Sequence, residues 1–229
     1  MKTKGKLIVI DGIDGSGKAT QTALLVKRLK KEGHKVKTVD FPRYYHNFFG
    51  RLVGEYLSGK FGDFITVDPR IASVLYAADR FESGTLIKKW LERGFIVVAD
   101  RYVSANQIHQ GGKIHSLAGR KKFLNWLDKM EYEIFKIPRP DLIVYLDVPF
   151  EVSKKWLENK IVQRSKKYSK GRRDVAEDNL LHLRDSRASA LYLHRINKNW
   201  NKISCCKGLK CMLPQEVHEQ VFFVVKKCL

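Results

Sequence analysis

The chain has 229 residues, with 44 Lys plus Arg against 24 Asp plus Glu and a formal charge of +20. That length suits one α/β domain, and 44% hydrophobic residues with 11% aromatics exclude a disordered chain despite the charge. No apolar run approaches the ~18 residues of a membrane span. The start, Met1-Lys2-Thr3-Lys4, leads into a strand-like run rather than a secretory segment, so a soluble, cytoplasmic protein is expected.

Short β-branched runs alternate with longer amphipathic stretches, the pattern of βαβ units around a parallel sheet. The strands expected are Leu7–Asp11, Lys35–Asp40, Phe95–Asp100, Asp141–Asp147 and Trp200–Cys205. Helices are expected over residues 17–32, 69–93, 119–136, 149–160, 175–199 and 214–227. Asp68-Pro69 reads as an N-cap with proline at the first helical position, and Ile71, Val74, Leu75 and Ala78 supply an apolar face. Gly33 and Gly94 sit where helices stop before the next strand. No linker or composition shift divides the chain, so residues 1–229 read as one domain with an insert at about 161–175. Cys205, Cys206, Cys211 and Cys228 contain no C-x-x-C pair and are expected as reduced thiols.

The sharpest motif follows the first strand. Gly12-Ile13-Asp14-Gly15-Ser16-Gly17-Lys18-Ala19-Thr20 is G-x-x-x-x-G-K in a strand–loop–helix setting. Glycines let backbone N–H groups converge on a phosphate, the next helix adds its positive end, and Lys18 follows charge between β- and γ-phosphates. The hydroxyl residue that ordinarily ligates Mg²⁺ is replaced by Ala19, and Thr20 lies about 100° further round the helix. Carboxylates therefore become the metal-side candidates: Asp100 at a strand's carboxyl end, with Asp11 and Asp14 flanking the loop.

Phe41-Pro42-Arg43 follows the second strand and Asp100-Arg101-Tyr102 the third, with Tyr76-Ala77-Ala78-Asp79-Arg80 on the helix between them. Together with the phosphate loop, and from about Lys6 to about Lys227, the chain resembles the thymidylate kinase family. The resemblance implies a P-loop NTPase three-layer fold, a five-stranded parallel sheet with helices on both faces. It also implies ATP as donor, Mg²⁺ as cofactor, dTMP as acceptor, dTDP as product on the way to dTTP, and a homodimer.

For the site, the resemblance places ATP on Gly12 to Thr20. It places dTMP on Asp14, Phe41, Pro42, Arg43, Tyr76, Arg80, Arg101, Ser104, Asn106 and Gln107. Tyr76 would stack on thymine and Arg80 would reach its O4 edge, the two being one helical turn apart. Arg43 would contact the acceptor phosphate, although some members carry that arginine one position later, where this chain has Tyr44. Arg101 would draw the two phosphates together, and Asp100 would orient metal-bound water. His109 stands where many relatives have a tyrosine against the ribose 2′ position. The basic run 164–173 falls where the family has a lid, which leaves Arg164, Arg172 and Arg173 open as sources of a transition-state cation. The turn at Cys205–Gly208 falls beside the family's adenine site. The rival readings are a kinase for another nucleoside monophosphate or a deoxynucleoside, and a catalytically silent basic nucleotide- or nucleic-acid-binding module. Charge alone predicts some nonspecific nucleic-acid attraction with no functional role.

Overall fold

Five parallel strands form the central sheet of the computed structural model, which describes residues 4–62, 66–156 and 180–229. They are β1 (Lys6–Asp11), β2 (Val36–Asp40), β3 (Ile96–Asp100), β4 (Leu142–Asp147) and β5 (Trp200–Ser204), arranged β2-β3-β1-β4-β5. Alternation along each strand feeds two cores. Leu7, Val9, Val97, Ala99 and Ile143 face one side, while Ile8, Ile10, Val98, Val144 and Leu146 face the other.

Helices α1 (Lys18–Lys31) and α8 (Pro214–Cys228) cover the second face through Leu25, Leu29, Val221 and Val225. The first face is covered by α3 (Pro69–Glu92), α4 (Val103–Gly112), α5 (Leu117–Asp128) and α7 (Leu180–Ile196). Helix α2 (Phe48–Leu57) packs on α3, and residues 150–156 form α6. The result is the three-layer α/β fold expected. β1, β2, β3 and β4 each end in aspartate at one edge: Asp11, Asp40, Asp100 and Asp147. The connection after β1 runs one way, to β2, and the connection after the neighbouring β3 runs the other way, to β4; such a switch point is where open α/β sheets bind ligands.

Asp68 caps α3 as read, accepting from the Arg70 N–H at 2.7 Å, and Gly33 and Gly94 take φ values of 86° and 77° after their helices. Four features depart from the sequence reading. Helices α2 and α4 were not foreseen. The stretch read as one helix over 119–136 turns into a π-helix at Lys129–Ile134. On α3 the buried face is small and polar, with Ala77, Asp79, Arg80, Ser83 and Gly84, whereas Ile71 and Val74 of the apolar stripe face outward. Finally, a two-stranded hairpin, β6 (Cys206–Lys207) and β7 (Lys210–Cys211), sets Cys206 directly opposite Cys211, and the two are disulfide-bonded. Direct cross-strand pairing brings the two Cβ atoms within bridging reach, so two of the four thiols expected as reduced are joined. The insert at 161–175, with Arg164, Arg172 and Arg173, lies outside the described residues.

Candidate active site

Gly15 and Gly17 adopt φ values of 75° and 87°, the left-handed turns that let the loop curl over the start of α1. Gly12 needs its bare Cα for another reason: a Cβ there would sit 2.4 Å from Ser16 Oγ and 2.9 Å from the Leu146 carbonyl. The Lys18 ammonium lies inside this loop, donating to the Gly12 and Ile13 carbonyls at 2.9 Å each, with Asp14 Oδ1 at 3.7 Å. Beneath the loop Asp11 accepts from the Gly12 N–H at 2.8 Å and from Ser104 Oγ at 2.5 Å. Ser104 therefore ties the first turn of α4 to the phosphate loop. Asp11 is a residue whose positioning role motif spacing alone could not specify.

Arg101 leaves β3 with φ 64°, its N–H bonded to the Ile10 carbonyl at 3.0 Å, and its guanidinium pairs with Asp14. Lys18, Arg101 and Asp14 thus meet at the carboxyl edges of β1 and β3. Burial alone would raise the Asp14 carboxyl, but Arg101 and Lys18 hold it well below the usual carboxylate range. Asp100 is pushed up by burial against the pull of Arg101 and Lys18, and its buried Oδ1 has no partner among the described residues. Burial and the Arg101 charge bring the Lys18 ammonium down, with Asp14, Asp11 and Asp100 opposing.

Beyond β2, Phe41 places its N–H on the Asp100 carbonyl at 3.0 Å, and the Phe41–Pro42 peptide is cis. Asp79 accepts from the Arg43 N–H at 3.0 Å and from Asn47 Nδ2 at 2.8 Å, while Arg43 Nη1 donates to Ser83 at 3.0 Å. The Arg43 Nε is buried with no partner among the described residues, a donor fit for an anion. Arg80 is 2% exposed and is forked by Glu131, with Nε–Oε2 at 2.7 Å and Nη2–Oε1 at 2.5 Å. Its Nη1 reaches the Tyr102 carbonyl at 3.3 Å, one residue beyond Arg101. Asn106 lies beside this pair, donating to the Ser73 carbonyl at 3.1 Å. Tyr76 sits half-buried at the α2–α3 contact, edge-on to Tyr56. The Gln107 carbonyl accepts from Ser189 of α7. Asp79 and Glu131 escape a motif reading because their partners lie 36 and 51 residues away.

His109 stacks on His182 with ring centroids 5.5 Å apart and touches Ser186 Oγ at 3.2 Å. Burial pulls its imidazole down to about 3, with Asp14 opposing and His182, Arg101 and Lys18 reinforcing. An unfolded histidine takes up a proton near pH 6.5. Stability is therefore fully present above that pH and declines as pH falls, because only the unfolded chain binds the proton. Thermal melts should show a loss of about 1 kcal/mol between pH 6.5 and 5.5 that His109→Phe removes.

A cleft of about 290 Å³ runs from Gly15 and Thr20 of the loop to Trp156, Cys205, Met212 and Pro214. The backbone bond from the Met212 N–H to the Cys205 carbonyl, at 2.9 Å, folds the disulfide hairpin against its rim. Lys18, Arg101 and the unpartnered Arg43 Nε thus all follow the carboxyl ends of sheet strands. Among the described residues no three His, Cys, Asp or Glu side chains form a metal cage.

The family model described as thymidylate kinase matches residues 10–207 of the chain. A probable thymidylate kinase of Pyrococcus abyssi is 32% identical over 227 residues, covering 97% of each chain. The thymidylate kinase of Homo sapiens is 31% identical over 145 residues, 63% of this chain and 62% of that protein. A solved structure of thymidylate kinase from Candida albicans superposes with a TM-score of 0.70 over 98% of this chain and 92% of that one. At 21% identity it speaks to the fold alone.

Proposed function

The chain belongs to the thymidylate kinase family, and from that premise we propose that it transfers the γ-phosphate of ATP to dTMP. An oxygen of the acceptor phosphate attacks the γ-phosphorus in line, the bond to the β-phosphate oxygen breaks, and dTDP and ADP result without a covalent enzyme intermediate. The observation that carries this reading is Arg101, placed between the phosphate loop and the Phe41–Arg43 segment and paired with Asp14. Two anionic nucleotides repel each other, and a fixed guanidinium between them offsets that repulsion where charge develops. Lys18 and the loop amides hold the donor phosphates, and Arg43 offers its unpartnered Nε to the acceptor phosphate. Arg80, donating to a carbonyl, favours thymine or uracil over cytosine, whose amino group would face another donor. Tyr76 offers the base an aromatic face. We place the reaction in the cytoplasm.

Ala19 offers no hydroxyl to a metal, so Asp100 is the residue we assign to hold Mg²⁺, which it would do through water. The buried, unpartnered Asp100 Oδ1 fits that role. When bound, the ion neutralises phosphate charge.

We further propose a homodimer built on the outward stripe of α3, where Ile71, Val74 and Phe81 are exposed beside half-buried Ala78. Phe81→Glu should halve the mass seen by sedimentation; an unchanged mass would move the interface elsewhere. The catalytic reading is tested by coupled ADP release with dTMP, dUMP, dCMP, dGMP and thymidine. Preference for dTMP is expected, and preference for thymidine, which has no phosphate, would overturn it.

A further inference from the structure

The Arg80–Glu131 pair is the most deeply buried ion pair among the described residues, with side chains 2% and 0% exposed. Glu131 comes from the π-helix Lys129–Ile134, a form that is rare and often marks functional sites. The wider turn brings Glu131 up beneath α3, where both carboxylate oxygens meet the guanidinium side-on at 2.7 and 2.5 Å. Asn106 Nδ2, on α4, stands 3.5 Å from the same Oε1. Of the five guanidinium N–H groups, Glu131 takes two and the Tyr102 carbonyl one, which leaves two without a partner among the described residues.

We infer that Glu131 is the positioning residue for acceptor-base recognition, fixing Arg80 so that its remaining N–H groups present a rigid donor edge to a pyrimidine carbonyl. The inference rests on the dTMP reading above. A free arginine side chain carries about 2 kcal/mol of rotamer entropy, and a fork made before the ligand arrives removes much of that penalty from binding. The same rigidity serves selectivity. A guanidinium that cannot swing aside meets the amino group of cytosine donor to donor, whereas a loosely held one would retreat.

The experiment is steady-state kinetics on full-length wild type, Glu131→Gln and Glu131→Asp, with ATP and either dTMP or dCMP. Glutamine keeps the length but turns one acceptor into a donor facing Arg80. Aspartate keeps the charge but is too short for both arms. For the Gln variant the KM for dTMP should rise about tenfold and the preference for dTMP over dCMP should fall about tenfold, the worth of one charge-assisted hydrogen bond. Its kcat should stay within about threefold and its KM for ATP should not change. The Asp variant should fall between Gln and wild type, and it decides the matter by the same criteria if the Gln variant does not fold. A folded variant with dTMP KM and base preference within twofold of wild type overturns the inference alone. Parallel loss in both substrates' KM values also overturns it, since that would mark a merely structural residue. A wild type that phosphorylates neither pyrimidine overturns the functional reading and this inference with it.

Discussion

Arg101→Ala should lower kcat by on the order of 10³-fold, about 4 kcal/mol of transition-state stabilisation. Arg101→Lys should recover only part of this, since a point charge on a flexible stem cannot fork two phosphate groups. The backbone supplies a control on stability. Arg101 sits at φ 64°, a conformation unfavourable for any residue with a Cβ, so Arg101→Gly should relieve backbone strain of about 1 kcal/mol. Set against that relief is the loss of the guanidinium beside Asp14, which leaves Lys18 as the cation 3.7 Å away. The glycine variant should therefore melt close to wild type yet turn over as poorly as the alanine one. Single-turnover measurements with saturating nucleotides separate chemistry from binding. More than a tenth of wild-type turnover in Arg101→Gly would remove Arg101 from the catalytic centre.

How much of this could be read along the chain depends on how far apart the partners lie. The phosphate loop was legible because all its parts, from Gly12 to Lys18, are contiguous and each glycine has a local reason to be there. Strands β1, β3 and β4 were legible because they are buried on both faces and apolar almost throughout, and the observed limits of all five strands, including the half-exposed β2 and β5, fall within a residue of the expected ones. Helix α4 was missed for the converse reason: eight of its ten residues are buried, so no polar face marks a helical period. Helix α2 carries Gly50 and Gly54, which depress helix propensity. Gly50 is required because a Cβ there would stand 2.3 Å from the Arg43 carbonyl. On α3 the apolar face read from the periodicity is present, but Ile71 and Val74 turn outward. The helix turns its polar face inward because that face carries Asp79, Arg80 and Ser83, each with a distant partner. Those partners, like Ser104 for Asp11 at 93 positions' separation, belong to the fold and leave no local trace.

Arg80→Met should destabilise the protein by about 3–5 kcal/mol in urea unfolding, because it strands the Glu131 carboxylate in a site where that residue is fully buried. The larger part of this loss belongs to the abandoned charge rather than to the arginine. Adding Glu131→Leu to Arg80→Met should therefore restore most of the stability, since buried ion pairs replaced by apolar groups are often neutral or better. Recovery should not extend to the acceptor site: the double variant, folded but lacking the donor edge, should keep a raised KM for dTMP. The single variant also has a signature in pH. Burial already pushes the Glu131 carboxyl up, and Arg80 is what opposes that push. With Arg80 gone the folded state keeps its proton well above the ~4.3 at which an unfolded glutamate releases it. Below that value both states are protonated and the single variant lies nearest to wild type. As pH rises only the unfolded chain sheds the proton, so stability falls until the folded carboxyl ionises too. The gap between wild type and Arg80→Met should accordingly widen from pH 4 to pH 7. A gap that stays constant would mean that the carboxylate had found another cation or water.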